Sequence, residues 1–230
     1  MYIDIHTHII ANSEKNHLSI YNLQPLTPDI EQYQKAFSAG IHPWYIPDNT
    51  TQAIERLNIL AQKINMVAIG ECGLDKLCQT PFELQKEIFK SQINISEEYK
   101  KPLIIHCVKS YNEIVEIKKE TKPTQTWIIH GFRGKPKTAT MLVKAGFILS
   151  IGEKFNPESI KTIPIESLLI ESDESAIPIE DIYKNEVEKY CASYNLNCYF
   201  EETEIDESYR REMENFAKEF GNESLHDKLR

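Results

Sequence analysis

The sequence predicts an α/β protein, a (β/α)8 barrel that is trimmed at its first βα unit. Eight short apolar runs alternate mostly with segments of helical periodicity along the 230 residues, and parallel strands require such crossovers. The length is near that of one such barrel, and closure of the sheet removes its edges. An open doubly wound sheet is the alternative, but it more often has a Gly-rich phosphate loop after the first strand, which this chain lacks.

Four strand-like runs lie in the first part of the chain. In the first, 1–5, Ile3 and Ile5 alternate with Tyr2 and Asp4, which is typical of a short buried strand. The other three runs are 17–23, 36–41 and 66–70. The link between the first two runs is too short for a full helix, so the barrel is predicted to be trimmed there.

Two helical segments are predicted between these runs. Thr27 as N-cap and Pro28 at the first helical position predict a brief helical turn to about Lys35. Thr50 or Thr51 is predicted to cap a longer amphipathic helix. The apolar residues of that helix recur at helical spacing: Ile54, Leu57 and Leu60.

The second part of the chain alternates more regularly. Its strand-like runs are 103–105, 125–129, 146–151 and 167–170, and its helical segments are 81–100, 111–120 and 136–145. Two charged helices are predicted in the tail, at about 179–194 and 207–220. No Pro/Gly linker or charge block divides the chain, so residues 1–230 are predicted to form one domain.

Composition and charge limit the possible functions. The formal charge of −9 disfavours an extended basic face, so a nucleic acid would have to bind locally at a pocket. The five cysteines include no C-x-x-C pair, which predicts free thiols. A leader is not expected, because Asp4 and His6 interrupt the only early apolar run, and no apolar stretch nears the roughly 20 residues of a membrane span. We therefore expect a cytoplasmic protein with no obligate protein partner.

Polar side chains follow the predicted strands at their carboxyl ends. Five of the seven histidines lie there: His6, His8, His42, His106 and His130. Glu71 and Asp173 directly follow two further apolar runs. Because the carboxyl ends of all barrel strands open onto one face, these side chains are expected to converge.

The converging groups suit divalent metal ions. Four imidazoles and two carboxylates suit two ions better than one, because a single Zn is satisfied by three or four ligands. Two ions about 3.5–4 Å apart can share a carboxylate and activate a water to hydroxide. The mixed nitrogen and oxygen donors fit Zn, Mn, Ni or Fe, with Mg as a further candidate.

Seven short motifs lie between the start of the chain and about residue 175: Asp4-Ile5-His6-Thr7-His8, Gly40-Ile41-His42-Pro43, Ile69-Gly70-Glu71-Cys72-Gly73-Leu74-Asp75, Gln85-Lys86, Ile105-His106-Cys107, His130-Gly131-Phe132 and Glu171-Ser172-Asp173. In these motifs, which run in family order, the chain resembles the TatD-like metal-dependent hydrolases, a family of amidohydrolase-type barrels. The resemblance implies a trimmed TIM barrel and a two-metal phosphoesterase that cleaves DNA, often from the 3′ end of single strands.

The same resemblance implies roles for individual residues. One ion would be held by His6, His8, Glu71 and Asp173, and the other by His106, His130 and the bridging Glu71. Asp173 would also accept the proton of the attacking water, a role that suits a carboxylate.

The substrate contacts are predicted less directly. His42, Lys109, Arg133 and Lys76 are candidates for holding phosphate oxygens of a short nucleic-acid or other phosphodiester substrate. The loop after His130 is more basic than is usual in the family, and loops, not strand ends, meet substrate. Two alternatives therefore stay open: hydrolysis of another ester or amide bond, and a non-enzymatic binding role on the same barrel.

Overall fold

The computed structural model describes residues 2–9 and 17–184. Within these ranges eight parallel strands form one sheet, in which each strand pairs with the next along the chain. The strands are β1 (Tyr2–Thr7), β2 (His17–Leu23), β3 (Phe37–Ala39), β4 (Met66–Asp75), β5 (Leu103–Val108), β6 (Trp127–Ile129), β7 (Phe147–Ile151) and β8 (Leu168–Ile170).

Hydrogen bonds between β1 and the residues after β8 close the sheet into a barrel. The N–H of Asp173 donates to the carbonyl of His6 at 2.9 Å, and the N–H of His8 donates to the carbonyl of Asp173 at 3.1 Å. Thr7 and Asp173 thus form a parallel bridge. The predicted (β/α)8 barrel is confirmed, and closure itself places His6, His8 and Asp173 side by side.

Five α-helices lie wholly among the described residues, and a further helical segment begins at residue 179. The five are α1 (Thr50–Ala61), α2 (Phe82–Tyr99), α3 (Tyr111–Thr121), α4 (Pro136–Lys144) and α5 (Pro157–Ile160). The longest, α2, buries Ile88, Phe89 and Ile93 at helical spacing and packs against β4. Helices of this kind cover the outer face of the sheet, so the strands are buried on both faces.

Side chains on both faces of the sheet form the core. Ile3, Ile5 and Ile105 are fully buried, as is Trp127. The Trp127 ring packs edge-on against Phe89 of α2 at 5.5 Å between centroids. Full burial of such a side chain contributes about 1.5–3 kcal/mol, so the packed core holds the strand ends in fixed positions.

The predicted helical turn from Thr27 to about Lys35 is wrong in extent and in its cap. Only a 3₁₀ turn, Ile30–Gln32, forms, and its N-cap is Asp29, with φ of 55°. The left-handed backbone at Asp29 interrupts a helix that would start at Pro28. Thr27 instead donates its N–H to the carbonyl of Gln24.

The cap of α1 also differs from the prediction. Asn49 is the N-cap, and its Oδ1 accepts a hydrogen bond from the N–H of Gln52 at 3.1 Å. Thr50 and Thr51 lie inside the helix. Asn and Thr are both good caps, so the sequence alone favours none of three adjacent polar residues.

β4 is longer than predicted, and two elements were missed. The strand continues past Gly70 to Asp75, with its register to β5 shifting between Ile69 and Cys72. Glu71 therefore lies within a strand and not after one. The missed elements are the short helix α5 and a 3₁₀ turn, Ile165–Ser167, which are too short for a period to be recognised.

The tail is described only at its start. Residues 179–184 are helical, as predicted for the first part of the helix at 179–194. The rest of that helix, the helix at 207–220 and the last part of the proposed single domain lie outside the described residues. No helix within 2–9 and 17–184 has both the length and the apolar character needed to cross a membrane.

Candidate metal centre

Glu71 is at the centre of the cluster that the strand ends form. His6 lies on β1 and His106 on β5, while His130 directly follows β6. The Oε1 atom of Glu71 lies 2.7 Å from Nδ1 of His106 and 2.6 Å from Nε2 of His130. The Oε2 atom faces the other way, toward His6, His8 and Asp173. The predicted convergence of the six candidate ligands is what the structure shows.

The atoms around Oε2 are spaced like ligands of one cation. Nε2 of His6 and Nε2 of His8 each lie 3.5 Å from Oε2 of Glu71. The Oδ1 of Asp173 lies 3.8 Å and 3.7 Å from the same two nitrogens. These distances exceed a hydrogen bond. Two ligands that share a tetrahedral ion at about 2.0–2.1 Å are themselves about 3.4 Å apart, so these four residues fit a bound ion.

The imidazole of His6 gives an independent sign of the same fit. The side chain is fully buried, and neither ring nitrogen has a hydrogen-bond partner among the described residues. Buried polar atoms in native proteins are rarely left in this way. A cation between His6 and the carboxylates of Glu71 and Asp173 would satisfy Nε2.

The second group of ligands is more contracted. His106 and His130 contact Oε1 of Glu71 at hydrogen-bond distances, and Nε2 of His42 lies 3.2 Å from the same oxygen. His42, His106 and Glu71 still offer three donor atoms within 4.8 Å of one another. The nitrogen and oxygen donors of Glu71, His106 and His130 suit a second ion by type, but their contacts of 2.6–2.7 Å are shorter than the spacing of ligands around a bound ion.

The electrostatics keep Glu71 ionised. Burial alone would raise the pKa of this carboxyl, but His130, His106 and His42 hold the pKa well below its usual range. Burial would likewise lower the pKa of His130, but the carboxylates of Glu71 and Glu171 raise it well above its usual value. An ionised carboxylate is the form that binds a cation, and protons compete with the cation for the imidazoles.

His42 is buried against Glu71. Its Nδ1 accepts a hydrogen bond from the N–H of Trp44 at 3.0 Å, which leaves Nε2 as the donor toward Oε1 of Glu71. Burial lowers the pKa of His42, in keeping with a neutral ring. The structure shows a contact of His42 with the central carboxylate, and its contact with substrate stays a prediction.

Two buried carboxylates support the ligands from behind. Asp4 accepts hydrogen bonds from the N–H of His6 and from the hydroxyl of Ser172, and so connects β1 to the residue before Asp173. Glu171 is fully buried and accepts the N–H of Gly131 at 2.6 Å, with Nδ1 of His130 at 3.4 Å. Such second contacts fix the orientation of ligand side chains. No role for either carboxylate was predicted from the sequence.

A third carboxylate, Asp75, contacts His106 from the side opposite Glu71. Its Oδ2 lies 3.2 Å from Nε2 of His106 and accepts the indole N–H of Trp44 at 2.6 Å. Burial alone would raise the pKa of Asp75, but hydrogen bonds from the N–H of Leu77, from Trp44 and from His106 lower it. The sequence signal that could have found Asp75 is its period-two spacing from Glu71 and Gly73 along one strand.

The basic candidates are placed differently from one another. Arg133 lines a cavity of about 180 Å³ together with Asp173, Ser172 and Lys154. Lys109 is exposed just after β5, with φ of 51°. Lys76 forms an ion pair with Glu113. Among the predicted phosphate contacts, Arg133 therefore shares this cavity with the candidate ligand Asp173.

Comparison with known proteins identifies relatives over most of the chain. Residues 3–220 match the model of the family described as TatD related DNase. A metal-dependent hydrolase of Buchnera aphidicola is 31% identical over 75% of this chain and 72% of its own length. YabD of Bacillus subtilis, also a metal-dependent hydrolase by name, is 35% identical over 63% of this chain and 60% of its own length.

The solved structures agree on the architecture. The crystal structure of the TatD homolog YjjV from Escherichia coli K12 has a TM-score of 0.70 at 22% identity, and the match covers 96% of this chain and 98% of that one. The barrel and the His–Glu–Asp cluster at its carboxyl face define a metal-dependent hydrolase. With the family match over nearly the whole sequence, the chain belongs to the TatD-related DNase family.

Proposed function

We propose that this hydrolase cleaves phosphodiester bonds, with DNA as its substrate and with attack near the 3′ end of a single strand. The observation that carries the proposal is the group around Oε2 of Glu71. There Nε2 of His6 and Nε2 of His8 lie 3.5 Å from Oε2 of Glu71 and 3.7–3.8 Å from Oδ1 of Asp173. The family supports it, and so does a relative in Vairimorpha ceranae that is named "Putative deoxyribonuclease TATDN1 homolog" and is 29% identical over 66% of this chain.

The proposed site holds two divalent ions. His6, His8, Glu71 and Asp173 would hold one, and Glu71, His106 and His130 the other, with Zn, Mn, Ni, Fe or Mg as candidates. Bound ions of this kind lower the pKa of a water molecule and neutralise the charge that develops on a phosphoryl group. The first group has ion-like spacing already and the second is contracted, so we expect the first position to fill at lower metal concentration.

Asp173 is the residue proposed to accept the proton of the attacking water. Its side chain is 28% exposed, whereas that of Glu71 is 6% exposed, so Asp173 is within reach of solvent and of substrate. A carboxylate that stands between a ligand cluster and an open cavity suits a general base. Glu71 instead stays between the two ligand groups and orients both.

Arg133 is proposed to hold a phosphate oxygen from the cavity beside Asp173. Its guanidinium can bind two phosphate oxygens at once. Arg133→Ala should raise KM on an oligonucleotide more than it lowers kcat, because the contact is made in both the bound substrate and the transition state. Lys137→Ala is the matched control, since Lys137 is an exposed cation of the same segment that does not line the cavity. Lys109 also stays a candidate contact.

The test compares bond types and strand ends on purified protein of known metal content. Substrates are a single-stranded oligonucleotide labelled at its 5′ end, copies blocked by phosphorothioate at either end, a chromogenic phosphodiester and a chromogenic carboxyl ester. We expect close to two divalent ions per chain, loss of activity with a chelator, and inhibition by the 3′ block alone. Hydrolysis of the carboxyl ester alone would contradict the proposal. The cytoplasmic location stays a prediction.

A further inference from the structure

Two exposed aromatic side chains stand at the mouth of the barrel beside the candidate ligands. Trp44 and Tyr45 follow β3 and are 53% and 62% exposed. The Trp44 ring centroid lies 5.8 Å from that of His106, and the Tyr45 centroid lies 5.3 Å from that of His42. Contiguous apolar surface exposed beside a polar site marks a place where a ligand binds.

The indole of Trp44 is fixed in its exposed position. Its Nε1–H donates to Oδ2 of Asp75 at 2.6 Å, and its backbone N–H donates to Nδ1 of His42 at 3.0 Å. Leu77, which is 64% exposed, donates its N–H to the other oxygen of Asp75 at 2.6 Å. One exposed apolar residue is ordinary, but here the indole and Leu77 are anchored to the same buried carboxylate, beside Tyr45. A ring that is already held in place loses little conformational entropy when it binds a ligand.

The two rings form a corner. Their centroids are 6.3 Å apart and their planes are inclined at 69°. A planar group that stacks on one ring therefore meets the other ring at a steep angle, an arrangement that aromatic quadrupoles favour. This geometry suits a flat heterocycle better than a chain of aliphatic carbons.

We propose that Trp44 and Tyr45 form a stacking subsite for the nucleobase of the nucleoside next to the scissile phosphate. The subsite rests on the phosphodiesterase activity proposed above, because a phosphate beside His106 would carry its nucleoside toward these rings. Every base has a π-face, so stacking of this kind is tolerant of sequence. The subsite would thus select nucleotides over simple phosphate esters without selecting one base.

Binding can be tested without hydrolysis, because Trp44 is one of only two tryptophans and the other, Trp127, is fully buried. We expect thymidine 5′-monophosphate to quench the fluorescence of Trp44 and 2-deoxyribose 5-phosphate, which lacks the base, to leave it unchanged. Trp44→Phe should lose the signal but retain competitive binding, since the ring face remains. Trp44→Ala and Tyr45→Ala should each weaken binding of thymidine 5′-monophosphate.

Hydrolysis provides the second readout, with dinucleotides that contain a single phosphodiester bond. Thymidylyl-thymidine is compared with analogues that are abasic on the 5′ or the 3′ side. In the parent, removal of one of the two bases should lower kcat/KM about 5- to 150-fold, the range that stacking of one base supplies. Trp44→Ala and Tyr45→Ala should lose most of this discrimination, while Ile64→Ala, an apolar residue 70% exposed before β4, should retain it.

The outcomes separate the two proposals. Equal quenching by both phosphates, or by neither, together with parent-like discrimination in Trp44→Ala and Tyr45→Ala, would overturn the subsite and leave the phosphodiesterase intact. A parent that hydrolyses none of the dinucleotides, yet is quenched by thymidine 5′-monophosphate alone, would overturn the phosphodiesterase and retain a base-binding site. Melting curves of each variant confirm that it is folded.

Discussion

The carboxylate of Asp75 lies 3.2 Å from Nε2 of His106, on the opposite side of the imidazole from Glu71, which contacts Nδ1 at 2.7 Å. A histidine held in this way presents Nδ1 to a cation while its other nitrogen donates to a carboxylate. That arrangement fixes the tautomer and raises the basicity of the ligand. Asp75 thereby couples the candidate metal centre to Trp44, the other donor to Oδ2.

Removal of Asp75 should weaken binding of the ion assigned to His106. Loss of such an outer partner typically costs 10- to 100-fold in metal affinity, so Asp75→Ala should show that loss for one ion and little change for the other. Asp75→Asn keeps one acceptor oxygen, so its metal affinity should lie between those of Asp75→Ala and the parent. Calorimetric titration with Zn or Mn measures both affinities. Asp48→Asn, an exposed aspartate of the segment after β3, is the control, and an unchanged isotherm for Asp75→Ala would remove Asp75 from the site.

The strand-end residues could be predicted from the sequence because a barrel has one carboxyl face. His6, Glu71 and His130 follow or end apolar runs, and topology alone brings them together. The family resemblance added the division into two ion sites, which stays a proposal. The pattern of apolar and polar residues and the order of the strands thus predict most of the fold.

What the sequence did not reveal depends on contacts between distant segments. Trp44 and Asp75 are 31 residues apart, and nothing local in either marks the hydrogen bond between them. The extension of β4 past Gly70 arises from its pairing with β5, not from local propensity. The Asn49 cap was missed for a different reason, since three adjacent polar residues are all acceptable caps.

A second prediction concerns Gly73, where β4 and β5 come close. Its φ is 135°, and a Cβ there would lie 2.1 Å from the carbonyl oxygen of His106. Gly73→Ala must therefore push the two strands apart, and we expect a loss in free energy of unfolding of about 3 kcal/mol or more. Because Glu71 and His106 lie on those strands, metal affinity should fall as well. Denaturant unfolding and metal titration measure the two effects.

Gly146→Ala is the matched control for the Gly73 substitution. Gly146 also has a positive φ, 74°, but the nearest atom to its Cβ would be Nζ of Lys118 at 3.5 Å. We expect a cost of about 1–2 kcal/mol from the left-handed backbone alone, with metal affinity preserved. Equal losses in the two variants would show that backbone conformation, not crowding of His106, accounts for the effect.

A third prediction concerns pH and Lys118, which is remote from the metal centre. Its ammonium lies 4.2 Å from the centroid of the Phe147 ring and donates to the carbonyl of Gly146. Burial lowers the pKa of Lys118 from 10.5 to about 8. Between these values the unfolded chain binds a proton that the native chain does not, so this lysine's contribution to stability rises with pH from about 8 to 10.5 and is constant below that window.

Lys118→Met removes this titration and keeps an apolar stem. The gain in free energy of unfolding of the variant over the parent should be largest below pH 8 and should shrink toward pH 10. The carbonyl of Gly146 and the aromatic rings favour the ammonium. The pH-dependent part of the difference in free energy of unfolding should therefore be smaller than the shift in pKa alone would give. Urea unfolding of variant and parent at pH 7 and at pH 10 measures this difference. Lys119→Met is the control, because Lys119 is exposed on α3 and its substitution removes the same charge. A difference between variant and parent that is the same at both pH values would contradict the prediction.

The last prediction separates chemistry from folding at Asp173. The residue has φ of 54°, a left-handed conformation that Asn tolerates as well as Asp does. Its backbone N–H and carbonyl, not its side chain, close the barrel against His6 and His8. Asp173→Asn should therefore keep a near-normal melting temperature with metal present. It loses the negative charge and the proton-accepting oxygen, and removal of a positioned acid–base group typically costs about 10²–10⁴-fold in rate.

Rates on a single-stranded oligonucleotide and on a chromogenic phosphodiester, measured beside a melting curve, test this expectation. Asp181→Asn is the matched control, because Asp181 is an exposed aspartate shortly after the site and should retain full activity. Metal titration of Asp173→Asn should show weaker binding at the position of His6 and His8, and unchanged binding at the position of His106 and His130. Should the variant hydrolyse both substrates at the parent's rate, Asp173 does not take part in the reaction, and the proton must pass to another group of the cluster.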